Sequence, residues 1–264
     1  MLMELLSYAA VGIVAGTIAG LLGLGGGLII VPVLVWLFAR QGMPEAFIIH
    51  MAVATSLMTI VVTSVSSITA HHRYGNVIWP DFGKLLPGLM LGAVGGALLA
   101  INLSAGAMET FFACFALMMA ARLWLPSLDV TYKSLLNWLP SSLYGVFTGT
   151  LSALVGIGGG TLIVPYLVTA SRAMQQAVGT AAACGFPIAV AGGIGFMLFA
   201  PVSALRETGW TAGLIHWPAV LGIISTSVLF APLGAKLAKQ LPSSVLKRIF
   251  SAVLLCVALY FFLR

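Results

Sequence analysis

Two glycine-rich runs are the part of this chain best suited to chemistry: Gly23-Leu24-Gly25-Gly26-Gly27 and Gly156-Ile157-Gly158-Gly159-Gly160. Each is followed by a short apolar run that reaches a proline, at Val31-Pro32 and Val164-Pro165. Glycine costs about 1 kcal/mol per residue inside a helix, so three in succession interrupt one and leave backbone N–H groups unpaired. Where a new helix starts, near Leu28 and Thr161, free N–H groups and the positive end of the helix dipole make a ready site for an anion. The expected contacts are Gly25, Gly26, Gly27 and Leu28 from the first run, and Gly158, Gly159, Gly160 and Thr161 from the second. Thr55, Ser56 and Thr180 follow the two breaks at matching places and add hydroxyl groups. Against this, a threonine in a membrane helix ordinarily bonds the carbonyl one turn back, and the paired Thr17 and Thr150 invite the same reading. His50 is the titratable residue to which proton coupling would fall, although a lone histidine more often settles at an interface or in a hydrogen bond.

The elements that position these residues must lie in lipid. Of 264 residues 61% are hydrophobic and 7% charged, where a soluble protein carries about 25% charged. A mean hydropathy of +1.12 agrees. At about 20 residues per crossing the length fits eight to ten membrane segments, with no soluble catalytic or nucleic-acid-binding domain left over. The 12 Lys and Arg are spread singly through the loops, so the net charge of +6 reads as orientation signal, and nucleic acid is not an expected partner. The start, Met1-Leu2-Met3-Glu4, lacks the basic region of a cleavable signal, so the first apolar stretch is expected to be retained. Cys114, Cys184 and Cys256 stand alone in apolar runs and read as small packing residues.

Between charges run the neutral stretches 5–39, 46–72, 85–108, 134–171, 173–205 and 208–235, with shorter runs near 110–125 and 249–263. As one helix, 5–39 would measure roughly 50 Å against a hydrocarbon core of about 30 Å, and 134–171 has the same excess. Each must break at its glycines. Counting basic residues separates a kink from a hairpin. If both long stretches cross once, the twelve divide six and six; if each crosses and returns, nine share one side. That side holds Arg73, Lys84, Arg122, Lys133, Arg172, Lys236, Lys239, Lys247 and Arg248, and the other Arg40, Arg206 and Arg264. The positive-inside rule then makes the larger group cytoplasmic and places both termini in the periplasm. All the charged residues can sit near segment ends, which leaves backbone dipoles and hydroxyls to hold a ligand at mid-membrane. His71-His72-Arg73-Tyr74 and Asp81 read as a cytoplasmic loop, and Trp79, Trp124, Trp138 and Trp217 as an aromatic belt.

The chain also repeats itself. Aligning 16–32 with 149–165 gives ten identities in seventeen positions. Ala52-Val53-Ala54-Thr55 then matches Ala177-Val178-Gly179-Thr180, Trp79-Pro80 matches Trp217-Pro218, and Gly96-Ala97 matches Gly234-Ala235. The halves are 1–128 and 129–264, each of five elements, and an odd number requires the second to be inverted relative to the first. Ridges of small residues at Gly12, Gly16 and Gly20, at Gly145 and Gly149, and at Gly88, Gly92 and Gly96 read as close helix packing. The expected fold is therefore an all-α polytopic membrane protein of two inverted repeats, each with a broken or re-entrant helix.

The duplicated GLGGGLIIVP and GIGGGTLIVP segments, the AVATS and AVGT that follow, and the basic HHRYGNVIWP segment make the chain resemble the TauE/SafE sulfite exporter family over essentially its whole length. The motif falls on Gly23, Gly25, Gly26, Gly27, Pro32, Gly156, Gly158, Gly159, Gly160 and Pro165. Ala54 departs from the pattern where the second half has Gly179, so the halves need not contribute equally to a site. The resemblance implies a permease of the bacterial inner membrane for a small sulfur-containing anion such as sulfite, sulfoacetate or another organosulfonate, usually in export. Uptake of a similar anion, or a membrane assembly protein with no transport cycle, are the alternatives. Lipid and a small anion are the expected partners. No cofactor, metal or enzymatic activity is expected, because no nucleophile–base pair or metal-ligand spacing is visible.

Overall fold

The structure, a computed structural model, describes residues 2–22, 26–124, 137–201, 210–238 and 243–264. Ten helices occur among them: α1 (Leu2–Leu22), α2 (Gly27–Arg40), α3 (Ile48–Arg73), α4 (Trp79–Asn102), α5 (Ala105–Trp124), α6 (Trp138–Val155), α7 (Gly160–Thr169), α8 (Met174–Leu198), α9 (Trp217–Ala238) and α10 (Ser243–Phe262). Four of them, α3, α4, α5 and α8, are long and apolar enough to cross a membrane. Large apolar side chains such as Leu91, Leu99, Leu143, Leu221 and Leu229 face outward, as lipid contact requires. The protein is an all-α, multi-pass membrane protein.

The helices on either side of each glycine run lie as hairpins. Tyr8 on α1 donates its hydroxyl proton to Gln41 just beyond α2 at 2.8 Å, so α2 returns beside the helix it came from. In the second half the hydroxyls of Ser141 on α6 and Tyr166 on α7 lie 3.1 Å apart, and the rings of Tyr144 and Tyr166 stack at 4.1 Å. The mouths of the two hairpins open at opposite ends of the bundle. His50, a few residues after the first mouth, meets the carbonyls of Ala100 and Leu103 where α4 ends. Arg172, at the second mouth, binds Asp81 where α4 begins.

The main packing pairs are α1 on α9, α4 on α6, α3 on α8 and α5 on α10, with α2 laid on α3 and α7 on α8. Exchanging each helix with the one five places along returns the same set. Helices α3 and α8 are central: their apolar stretches are 72% and 67% buried, against 44% and 33% for α4 and α5. Small residues set the seams. Gly88, Gly92 and Gly96 of α4 lie on the backbone carbonyls of Ser142, Val146 and Thr150 of α6, while Gly12 and Gly16 of α1 lie on Ile223 and Ser227 of α9. The close packing read from the ridges holds at these five glycines. Thr17 and Thr150 likewise bond the carbonyls one turn back, those of Ile13 and Val146.

Three local readings change. His71, His72 and Arg73 form the last turn of α3, not a loop; basic side chains suit a helix C-terminus, and the helix stops only at Gly75, whose φ is +68°. The stretch 85–108 is interrupted after Asn102, where Leu103 turns extended and Ser104 caps α5 by accepting the N–H of Ala107 at 3.3 Å. The stretch 208–235 contains a two-stranded hairpin, β1 (Thr211–Ala212) against β2 (Ile215–His216). Gly213, with φ +61° and the following Leu214 not left-handed, supplies the turn that such a two-residue loop needs.

Candidate functional site

The two hairpin tips meet inside the bundle. Gly26 caps α2 and Gly159 caps α7, each in the left-handed region with φ of 36° and 75°, where a side chain would be strained. The carbonyl of Gly26 accepts the N–H groups of Ile29 and Ile30 at 3.0 Å each. That of Gly159 accepts those of Leu162 and Ile163 at 3.1 and 2.9 Å. The preceding N–H groups, of Gly27 and Leu28 at one tip and Gly160 and Thr161 at the other, have no acceptor among the described residues. They are the free donors of two helix N-termini.

Gly27 lies directly on the backbone of Gly156 and Ile157, with no room for a Cβ between them. Ser56 of α3 ties the contact together by donating to the Gly156 carbonyl at 2.9 Å. Gly158 lies beside Ile60 of α3 and Gly185 of α8, so the two central helices enclose the tips. Gly26, Gly27, Leu28, Ser56, Gly158, Gly159, Gly160 and Thr161 are thus gathered on the two tips and the helix beside them; Gly25 and Gly23 lie outside the described residues.

Thr55 and Thr180 each hold a backbone N–H of another element. The Thr55 hydroxyl accepts the N–H of His216 at 3.0 Å, and the Thr180 hydroxyl accepts the N–H of Ile78 at 3.0 Å. His216 and Ile78 each immediately precede a Trp-Pro pair that opens a helix, α9 and α4. One half therefore caps a helix of the other, twice. His50 is committed too: its Nε2 faces the Ala100 and Leu103 carbonyls at 3.0 and 3.1 Å, so this nitrogen carries the proton. It stands six residues before Ser56, about 9 Å along the helix axis.

Charge sits at the bundle ends. Asp81, 1% exposed, takes a two-pronged bond from Arg172, with Nε to Oδ2 at 2.7 Å and Nη2 to Oδ1 at 3.1 Å. At the other end Arg264 reaches Glu109 at 3.3 Å. The tips are left to N–H groups and hydroxyls, a set of donors suited to an anion.

Reading the sequence missed two features here. Ser152, on the last turn of α6, is fully buried and its hydroxyl has no partner among the described residues; its signal is a mismatch in the repeat, where the sequence of the first half has Ala19. The Asp81–Arg172 pair joins residues 91 positions apart, and nothing along the chain marks it.

A family model described as sulfite exporter TauE/SafE matches residues 8–261. A "Probable membrane transporter protein" of Haemophilus influenzae is 38% identical over 256 residues, 96% of each chain. The "Probable membrane transporter protein MJ0441" of Methanocaldococcus jannaschii is 27% identical over 258 residues, 96% of this chain and 93% of that protein. No solved structure matches the chain.

Proposed function

Because the chain belongs to the TauE/SafE sulfite exporter family, a family of membrane transporters, we propose that it exports a small sulfur-containing anion, such as sulfite, sulfoacetate or another organosulfonate, across the bacterial inner membrane by alternating access. The observation that carries this is the meeting of Gly27 with Gly156, which sets two helix N-termini with free N–H groups inside the bundle. A sulfite or sulfonate spreads its charge over three oxygens and suits such donors. Halves 1–128 and 129–264 act as inverted repeats, consistent with hairpins that open at opposite ends, and rocking one against the other exposes the tips to each side in turn. The mouth closed by Arg172 and Asp81 faces the cytoplasm, and both termini the periplasm, in keeping with the positive-inside rule.

Flux measured in proteoliposomes with sulfite, sulfoacetate, taurine and sulfate at several pH values tests the proposal. Saturable movement of at least one sulfur oxyanion is expected, and folded protein that carries none of them would overturn it. A label at Arg264 reachable by a membrane-impermeant reagent in cells supports the orientation; protection until lysis refutes it.

A further inference from the structure

The two tips match in backbone but not in side chains. Ser152 and Thr161 of the second correspond in sequence to Ala19 and Leu28 of the first. Ser152 is 0% exposed, and its hydroxyl makes no hydrogen bond among the described residues. A helical serine or threonine ordinarily gives its proton to the carbonyl one turn back, as Thr63, Thr69 and Thr169 do. Leaving a buried hydroxyl unpaired is costly enough to call for an explanation. The Ser152 oxygen lies against Gly159, 3.5 Å from where a Cβ on that glycine would stand, and so beside the residue that opens α7. The Thr161 hydroxyl, in the first turn of α7, is also buried without a partner. With the free N–H groups of Gly160 and Thr161 this makes four donors on one hairpin. Ser56 already gives its proton to the Gly156 carbonyl, and the Thr55 and Thr180 oxygens each hold a backbone N–H of another element. At the first tip the matching side chain is the buried, apolar Leu28.

We infer that the second hairpin alone grips the oxyanion group of the substrate, through the hydroxyls of Ser152 and Thr161 and the N–H groups of Gly160 and Thr161, while the first hairpin closes the site as an apolar wall. This rests on the transport reading and deepens it. Two N–H groups that can only donate, beside two hydroxyls free to donate, favour a ligand rich in acceptor oxygens, so a sulfite or sulfonate engages more of them than a carboxylate does.

The test is anion-dependent thermal stabilisation of the purified full chain in detergent, titrated with sodium sulfite, sodium sulfoacetate and sodium acetate at constant ionic strength. Ser152→Ala and Thr161→Val are each expected to weaken the apparent sulfite affinity about tenfold or more, the range for a lost hydrogen bond to a charged group. Ser227 is a matched control, another buried serine hydroxyl without a partner among the described residues, which lies in the α1–α9 seam; Ser227→Ala is expected to bind within twofold of wild type. Without anion, Ser152→Ala is expected to melt at the wild-type temperature or above it, because it removes an unpaired polar group; a structural serine would lower it. If wild type is saturably stabilised but Ser152→Ala and Thr161→Val respond as it does, the inference falls and the transport reading stands. Equal weakening in Ser227→Ala also overturns it. No saturable response of wild type to sulfite or sulfoacetate would remove the transport reading, and this inference with it.

Discussion

A Cβ on Gly27 would fall on the carbonyl oxygen of Gly156, so two helix breaks that lie 129 positions apart in the chain meet backbone to backbone. Ser56 bonds that same oxygen, so the contact is held from a third element. Gly27→Ala must push the hairpins apart and is expected to cost about 2 kcal/mol or more and to abolish flux. Gly95, also in a helix, has nothing within 4 Å of a Cβ, and Gly95→Ala is expected to be neutral or stabilising by up to about 1 kcal/mol. Thermal unfolding in detergent beside proteoliposome flux checks both; a Gly27→Ala protein with wild-type flux would show that the tips are not in contact.

Thr55 and Thr180 cap helices of the opposite half, and their removal should be felt in stability before binding. Valine keeps the shape and removes the acceptor, leaving the His216 or Ile78 N–H unsatisfied. Each Thr→Val change is expected to destabilise by about 1–3 kcal/mol, with anion affinity changed less than twofold. Thr→Ser, which retains the oxygen, should recover most of the loss. A tenfold loss of affinity at unchanged melting temperature would return these hydroxyls to the ligand.

The ion pair at the second mouth is unequal, since the Asp81 side chain is 1% exposed and that of Arg172 34%. Losing the arginine strands a buried carboxylate, whereas losing the carboxylate leaves an arginine that water can reach. Arg172→Gln is therefore expected to cost about 2–4 kcal/mol and Asp81→Asn clearly less, with the double variant milder than Arg172→Gln alone. Chemical or thermal unfolding of the three proteins reads the order directly, and equal losses in both single variants would contradict it.

What the chain discloses on its own follows from how local each signal is. The hairpins are readable because a stretch too long for the membrane carries its break, and the break occurs twice. Distribution of the basic residues then separates a hairpin from a kink. The turn at Leu103-Ser104 is hidden, because it holds no charge, glycine or proline and only Ser104 marks it. The strand pair before α9 is lost inside a neutral run, where the single Gly213 is all that marks its turn. Thr55 and Ser152 are harder still. Each looks like any hydroxyl in a membrane helix, and only the fold decides that one meets the His216 N–H while the other meets nothing.

His216 links the hairpin β1–β2 to α9 and brings a pH dependence. Its Nδ1 accepts the Ala219 N–H at 3.3 Å, the bond an N-cap side chain makes, and its ring lies between Tyr8 and Phe38 at 5.8 and 5.3 Å. Burial pushes its pKa down to about 4, with the Glu4 carboxylate pulling weakly upward. In the unfolded chain a histidine titrates near 6.5. Above that value both states are neutral and the stability is unaffected. As pH falls from 6.5 towards 4 the unfolded chain takes up a proton that the folded one refuses, so stability declines, and it levels off once the folded ring is charged as well. Protonation there also removes the acceptor and sets a cation at a helix N-terminus. His216→Asn keeps an N-cap acceptor without a titrating group. The melting temperature of wild type is thus expected to fall more steeply between pH 6.5 and 4 than that of His216→Asn, the difference cancelling the common effect of the carboxylates. Parallel curves would show that His216 stays in reach of water and titrates as a free histidine does.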